Sequence, residues 1–203
     1  MSKLTFYYSA MNAGKSAQLL QKNHNLQSKG FKTVIYTSKF DDRYGTGKVA
    51  SRIGIEANAH LFDKGTRFLY ELDKDPRTAS NRVPQYQANA FMFIDEAQFL
   101  TKQQVLDLTS VVDDKNISVF CYGLRTDFKG EPFEGSTYLM SWADEIKEIE
   151  SFDNTAKKAM MNIRVDVNGN RVWHGTQLGI GLNYDTTHRS DFNLRKALNT
   201  GLV

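Results

Sequence analysis

Cysteine is nearly missing: Cys121 is the single one in 203 residues. An intramolecular disulfide framework is therefore excluded, and the chain suits a reducing compartment. Proline is scarce as well, with 3 in all. Two of them, Pro76 and Pro84, fall in the charged stretch 73–87, which reads as an exposed connection. No apolar run approaches the roughly 20 residues of a membrane span, and Lys3, Asn12 and Lys15 bracket the first apolar run too closely for a signal core. A cytoplasmic protein without membrane contact is expected. An excess of one charge is lacking too: 26 Lys and Arg against 23 Asp and Glu leave a net +3. With no basic block of five or more, nucleic acid is not indicated as a partner. Repeats and low-complexity runs are absent.

What is present is a globular composition, 40% hydrophobic and 24% charged, at a length that suits one ordinary domain with a small appendage. Over residues 1–150 strand-like and helix-like patterns alternate. Strands are predicted over 4–8, 32–37, 90–94, 117–122 and 145–149, and helices over 16–29, 101–113 and 136–143. Thr101 is the expected N-cap of the second helix, with Gln104 at its third position. The run Ala90-Phe91-Met92-Phe93-Ile94 is apolar throughout, as a strand buried on both faces requires. The prediction is an α/β fold with a parallel sheet and right-handed crossovers. Residues 40–54, rich in Asp, Arg, Gly and Lys, are expected to form a mobile loop near a ligand. Residues 151–203 change character: 160–167, Asn168-Gly169 and 171–173 suggest a β-hairpin, and a glycine-rich loop follows. A hairpin and a loop are too little to fold alone, so this lobe should lean on the first domain.

The first strand runs through Ser9, Ala10, Met11, Asn12, Ala13 and Gly14 into Lys15-Ser16 and a helix. A tight turn of inward N–H groups, a helix N-terminus, a lysine charge and a hydroxyl for Mg²⁺ together make a phosphate cradle. The first glycine of the usual motif is Ser9 here. Taken alone, the segment also reads as an ordinary strand-to-helix turn. Asp95-Glu96 follows the apolar strand. Asp95 is placed to hold Mg²⁺ opposite the Ser16 hydroxyl, and Glu96 is a candidate base. In isolation such a pair is more often a solvated surface feature.

Five ordered segments carry a family resemblance: 8–16, Asp41-Asp42-Arg43-Tyr44-Gly45, Ser51-Arg52-Ile53-Gly54, Asp95-Glu96-Ala97-Gln98-Phe99-Leu100 and 122–128. Together they resemble the phosphate-loop (type II) thymidine kinases of the bacterial and phage branch, in which Ser9 is a family variant. The resemblance implies a P-loop NTPase-like kinase domain over 1–150 and a small lasso lobe over 151–203 that closes over the nucleoside. It implies ATP and Mg²⁺ as cofactors, thymidine as the acceptor, dTTP as a feedback inhibitor and a homotetramer. Lys15 would contact the donor phosphates, Ser16 and Asp95 would hold Mg²⁺, Glu96 would be the general base and Arg43 would stand near the phosphates. Met11, Phe99, Leu124, Phe128 and Phe133 match positions that line the thymine pocket. Gly179, Ile180, Gly181 and Tyr184 match the lasso that reads the base and closes over the sugar.

The sequence departs from that family at its second end. Relatives carry four zinc ligands in two close pairs, whereas the corresponding positions here lie near Ser151, Asp153 and Thr155, and near His188 and Asp191, with no cysteine. Only His188 is a good ligand, and a zinc-free lobe is expected. Two other activities compete with the kinase reading, a P-loop NTPase that hydrolyses and an inactive nucleotide-binding regulator.

Overall fold

The computed structural model describes residues 1–40, 47–70, 90–177 and 183–192. In chain order the elements are β1 (Leu4–Ser9), α1 (Lys15–Gln27), β2 (Lys32–Ser38), β3 (Lys48–Ala50), β4 (Glu56–Asn58), β5 (His60–Phe62) and β6 (Ala90–Ile94). A short 3-10 turn (Ala97–Phe99) and α2 (Lys102–Lys115) come next, then β7 (Ser118–Leu124), α3 (Glu134–Trp142) and β8 (Glu145–Glu148). The C-terminal lobe supplies β9 (Met161–Val165), β10 (Arg171–Val172), β11 (Asn183–Thr187) and the single turn α4 (Arg189–Phe192).

Six strands form one sheet in the order β5-β2-β6-β7-β1-β8, and every pairing in it is parallel. Central strands bury both faces, which explains their unbroken apolar sequences. Phe6, Met92, Ile94, Val119 and Cys121 face Val105, Leu108 and Val111 of α2 and Leu139 of α3. Their neighbours Tyr7, Phe93 and Tyr122 face Leu19 and Leu20 of α1. The alternation of strand side chains thus feeds two helical layers at once. Helix α2 starts as expected: the Thr101 side chain accepts from the Gln104 N–H, and Gln104 returns a bond to the Thr101 N–H.

Four strands, β3, β4, β5 and β11, were not foreseen. Within the predicted loop 40–54, Lys48–Ala50 is β3, paired antiparallel with β4. Three-residue strands are too short for a period to show, but Val49 is buried against the α1 layer and pins the hairpin. The expected hairpin is β9 with β10, its loop closed by Asp166 Oδ1, which accepts from the N–H groups of Asn168 and Asn170. β11 joins the far edge of β9, completing a three-stranded antiparallel sheet in the order β10-β9-β11.

Candidate active site

β1, β6 and β7 end side by side at one edge, with Ser9 opposite Leu124 and Ile94 opposite Cys121. The carboxyl edge of a parallel sheet is where loops converge on ligands. After β1 the chain turns through Asn12 at φ 61° and Gly14 at φ 80° before entering α1. Both are left-handed conformations, which turn successive N–H groups to one side. Helix α1 has no side-chain cap and no acid in its first turn. The positive end of the helix dipole therefore faces no acidic side chain of the first turn and favours an anion. Lys15 Nζ lies back along the loop, 3.0 Å from Ser9 Oγ and 2.9 Å from the Ala10 carbonyl oxygen.

Ser16 Oγ donates to Asp95 Oδ2 at 3.0 Å, across 79 residues of sequence. Asp95 is buried at 4% exposure. Burial, and then the neighbouring Glu96 charge, push its pKa up to about 7, against the Ser16 bond and the Lys15 charge. A buried carboxylate beside a hydroxyl is a hard-oxygen donor pair that gains from a small divalent cation, so Ser16 and Asp95 fit Mg²⁺. Glu96 follows at φ 52°, a left-handed conformation uncommon for a residue with a side chain, which turns the chain sharply after the strand. Its N–H donates to Asp95 Oδ1 at 3.1 Å.

A cavity of about 230 Å³ opens between these groups. Residues 11–17 form one wall, Glu96 and Leu124 another, and Ala50 to Ile53 at the β3–β4 hairpin a third. The hairpin carries the Ser51-Arg52-Ile53-Gly54 motif to the mouth of the phosphate loop. Ser51 is buried, its Oγ donating to the Ile55 carbonyl, while Arg52 is exposed.

A sequence model of the family described as "Thymidine kinase" matches residues 2–182. The chain belongs to the thymidine kinase family. A thymidine kinase of Vibrio vulnificus strain YJ016 is 50% identical over 90% of this chain and 91% of its own length. One from Xanthomonas campestris pv. campestris strain 8004 is 46% identical over 95% of this chain and 90% of its own. Among solved structures, the genome packaging NTPase of Sulfolobus turreted icosahedral virus 2 matches 76% of this chain and 77% of that one at 15% identity, with a TM-score of 0.46.

The positions that match the thymidine kinase pocket separate into two groups. Met11 and Leu124 line the cavity with Glu96. Phe99 and Phe133 are not among its lining residues; they meet edge to face at 5.9 Å, and Phe40 meets Phe99 at 5.8 Å. Phe128 is fully buried and carries the Arg164 guanidinium 3.8 Å above its ring. Arg164 Nη2 also donates to the Tyr184 hydroxyl at 2.9 Å and to the Thr176 carbonyl at 2.8 Å, so Tyr184 joins Phe128 through this arginine. Arg43, Gly179, Ile180 and Gly181 lie outside the described residues.

Asn162 does not stand out in the sequence and Gln98 enters it only within the segment 95–100 with no role assigned, yet both are buried and bonded to residues that line the cavity. Asn162 Oδ1 accepts from the Met11 N–H at 2.8 Å, and its Nδ2 donates to the Thr126 carbonyl at 2.8 Å. One amide of the C-terminal lobe thus ties the phosphate loop to the segment after β7. Gln98 joins Glu96 to Leu124 in the same way. Apart from Glu96, two residues from Gln98, these partners lie 26 to 151 residues away and leave no local pattern to read.

The zinc-ligand positions of the family are otherwise employed. Asp153 Oδ1 accepts from Thr155 N at 2.8 Å, Thr155 Oγ1 at 2.7 Å and Lys157 N at 3.1 Å, and Oδ2 accepts from His188 N at 3.2 Å. The Thr155 hydroxyl leads these donors in holding Asp153 down at about 2. Asp191 pairs with Lys157 at 2.8 Å, and His188 Nδ1 meets Ser190 Oγ. A carboxylate saturated by N–H and O–H donors is a poor metal ligand, so this set does not fit tetrahedral zinc.

Proposed function

We propose that the chain transfers the γ-phosphoryl group of ATP to the 5′-hydroxyl of thymidine, giving dTMP and ADP. One observation carries this: the phosphate loop and the Glu96–Leu124 wall border the same cavity, so a donor phosphate and an acceptor alcohol would share one space. Family membership at 50% identity supports the same reaction.

Phosphoryl transfer asks for alignment and charge neutralisation more than for covalent chemistry by the protein. The N–H groups of residues 12–16 and the Lys15 ammonium receive the donor phosphates, with Arg43 assigned to the same charge by family likeness. Ser16 and Asp95 hold Mg²⁺, which neutralises phosphate charge when bound. The 5′-oxygen bonds to the γ-phosphorus, the bond to the oxygen of ADP breaks, and Glu96 takes the hydroxyl proton. Met11, Phe99, Leu124 and Phe133 surround the base with apolar and aromatic faces, and Phe128, its ring covered by Arg164, backs them. The lasso residues Gly179, Ile180 and Gly181 read its polar edge, and Tyr184 closes on the sugar side.

The same reading takes residues 1–150 as the kinase domain and 151–203 as the lobe over the nucleoside. It makes the protein a cytoplasmic homotetramer inhibited by dTTP, binding neither nucleic acid nor membrane. Among the described residues no helix is long and apolar enough to cross a membrane. The saturated Asp153 supports a lobe held without zinc.

Purified protein with Mg-ATP and a panel of deoxynucleosides tests the proposal. ADP and dTMP should form together, with thymidine the best acceptor. ADP without any nucleoside would mean a hydrolase, and tight nucleotide binding without product would mean a regulator. Glu96→Gln should lower kcat by about 100-fold or more, with nucleotide affinity retained. Full activity in that variant removes Glu96 from the role of base.

A further inference from the structure

Gln98 is the second residue of the 3-10 turn that follows Glu96 and is 2% exposed. Its side-chain amide has both ends engaged. Nε2 donates to Glu96 Oε2, and Oε1 accepts from the Leu124 N–H at 3.0 Å. One end needs an acceptor and the other a donor, so the amide is held in a single orientation. We propose that Gln98 is a positioning residue: it aims the Glu96 carboxylate at the acceptor alcohol and fixes it relative to the Leu124 wall. This rests on the reading of Glu96 as the base.

The surroundings hold the amide still. Gly123 has no room for a side chain, since a Cβ there would stand 2.9 Å from both the backbone nitrogen and Oε1 of Gln98. On the other side a Cβ at Gly135 would come within 2.8 Å of the Leu100 carbonyl oxygen and collide with that of Ala97. The turn is therefore gripped between the end of β7 and the start of α3 at two positions where the backbones nearly touch. Ser136 Oγ donates to the Leu124 carbonyl, so the residue that gives its N–H to Gln98 is itself anchored.

A carboxylate on a left-handed residue at a strand end would otherwise sample several rotamers. The amide leaves it aimed before any nucleoside arrives, as a positioned base must be. Holding a reacting group in place raises the rate without altering how tightly substrates bind. A glutamine that only filled space would change stability and leave that division untouched.

The test uses the full-length protein. Gln98→Met keeps the volume and loses both bonds. Gln98→Glu keeps the shape and an acceptor for Leu124 but turns a carboxylate toward Glu96. Each should lower kcat by roughly 10- to 100-fold while the KM for thymidine and for ATP stays within about threefold. Combined with Glu96→Gln, the Met variant should lower kcat by no more than about twofold further, because the base it positions is gone. Gln98 variants with wild-type kcat beside an inactive Glu96→Gln overturn this inference and leave the base intact. An active Glu96→Gln overturns the base itself. If Gln98→Met and Glu96→Gln lower kcat independently, or if both Gln98 variants fail to fold, Gln98 is a structural residue and the assignment is refuted.

Discussion

Replacing Asp95 by asparagine should stabilise the ligand-free protein at about pH 8 while abolishing its kinase activity. The carboxyl is 4% exposed, and burial followed by the Glu96 charge raises its pKa from 3.8 to about 7. At about 1.4 kcal/mol per pKa unit, ionising it in the folded chain costs roughly 4 kcal/mol more than in the unfolded chain. The folded state binds the proton more tightly, so its advantage is complete below the unfolded pKa and is lost as pH rises through about 7. Asparagine keeps the shape, can donate to Ser16 Oγ and can accept the Glu96 N–H, and it carries no charge. Urea unfolding without divalent cations should show the variant ahead of wild type by roughly 2–4 kcal/mol at about pH 8, narrowing to about 1 kcal/mol near pH 4.5. Mg-ATP should close the gap by stabilising the wild type alone. Equal or lower stability of the variant at about pH 8, or a gap that ignores pH, would refute the picture of a buried carboxylate poised for a cation.

Two further outcomes follow from the phosphate loop and the lobe. Lys15→Met removes the ammonium that lies along Ser9 and Ala10, and should raise the KM for ATP by about 100-fold with thymidine binding little changed, as read from initial rates and calorimetry. The C-terminal lobe should resist limited proteolysis equally with and without a strong zinc chelator at neutral pH, whereas Asp153→Ala should speed its cleavage by removing the acceptor of four hydrogen bonds. Asp153 is held at about 2, so its contribution is present above about pH 4 and is lost as pH falls through about 2. One zinc per chain by metal analysis would contradict this account of the lobe.

The parts of the molecule that were legible from sequence are those in which local pattern and tertiary role coincide. β6 is buried on two faces and is apolar at every position, and its predicted bounds match the structure. Thr101 and Gln104 announce the start of α2 because a capping box is a local device. Ser16 and Asp95 could be paired in advance because strand-end chemistry follows from sheet topology, and they meet at 3.0 Å. The C-terminal lobe obeys a different logic. β9 turns Asn162 and Arg164 inward and leaves Ile163 less buried, so its hydropathy inverts the usual pattern. Its buried side chains serve the site rather than a core, and hydrophobic period carries no information about them. Phe128, which belongs to the first domain, shows the lobe's reach. The sequence offers it as an aromatic face for a base, and the structure lays a guanidinium from β9 over that ring.

The Asn162 amide has a consequence for modularity. A chain cut after Glu150 would not simply lose a cover over the nucleoside. It would leave the Met11 N–H at the mouth of the phosphate loop, and the Thr126 carbonyl behind Leu124, each short of a partner. Donor loop and lobe are joined by a side chain that belongs to neither motif, so lobes exchanged between relatives must bring an amide, or its equivalent, to that point.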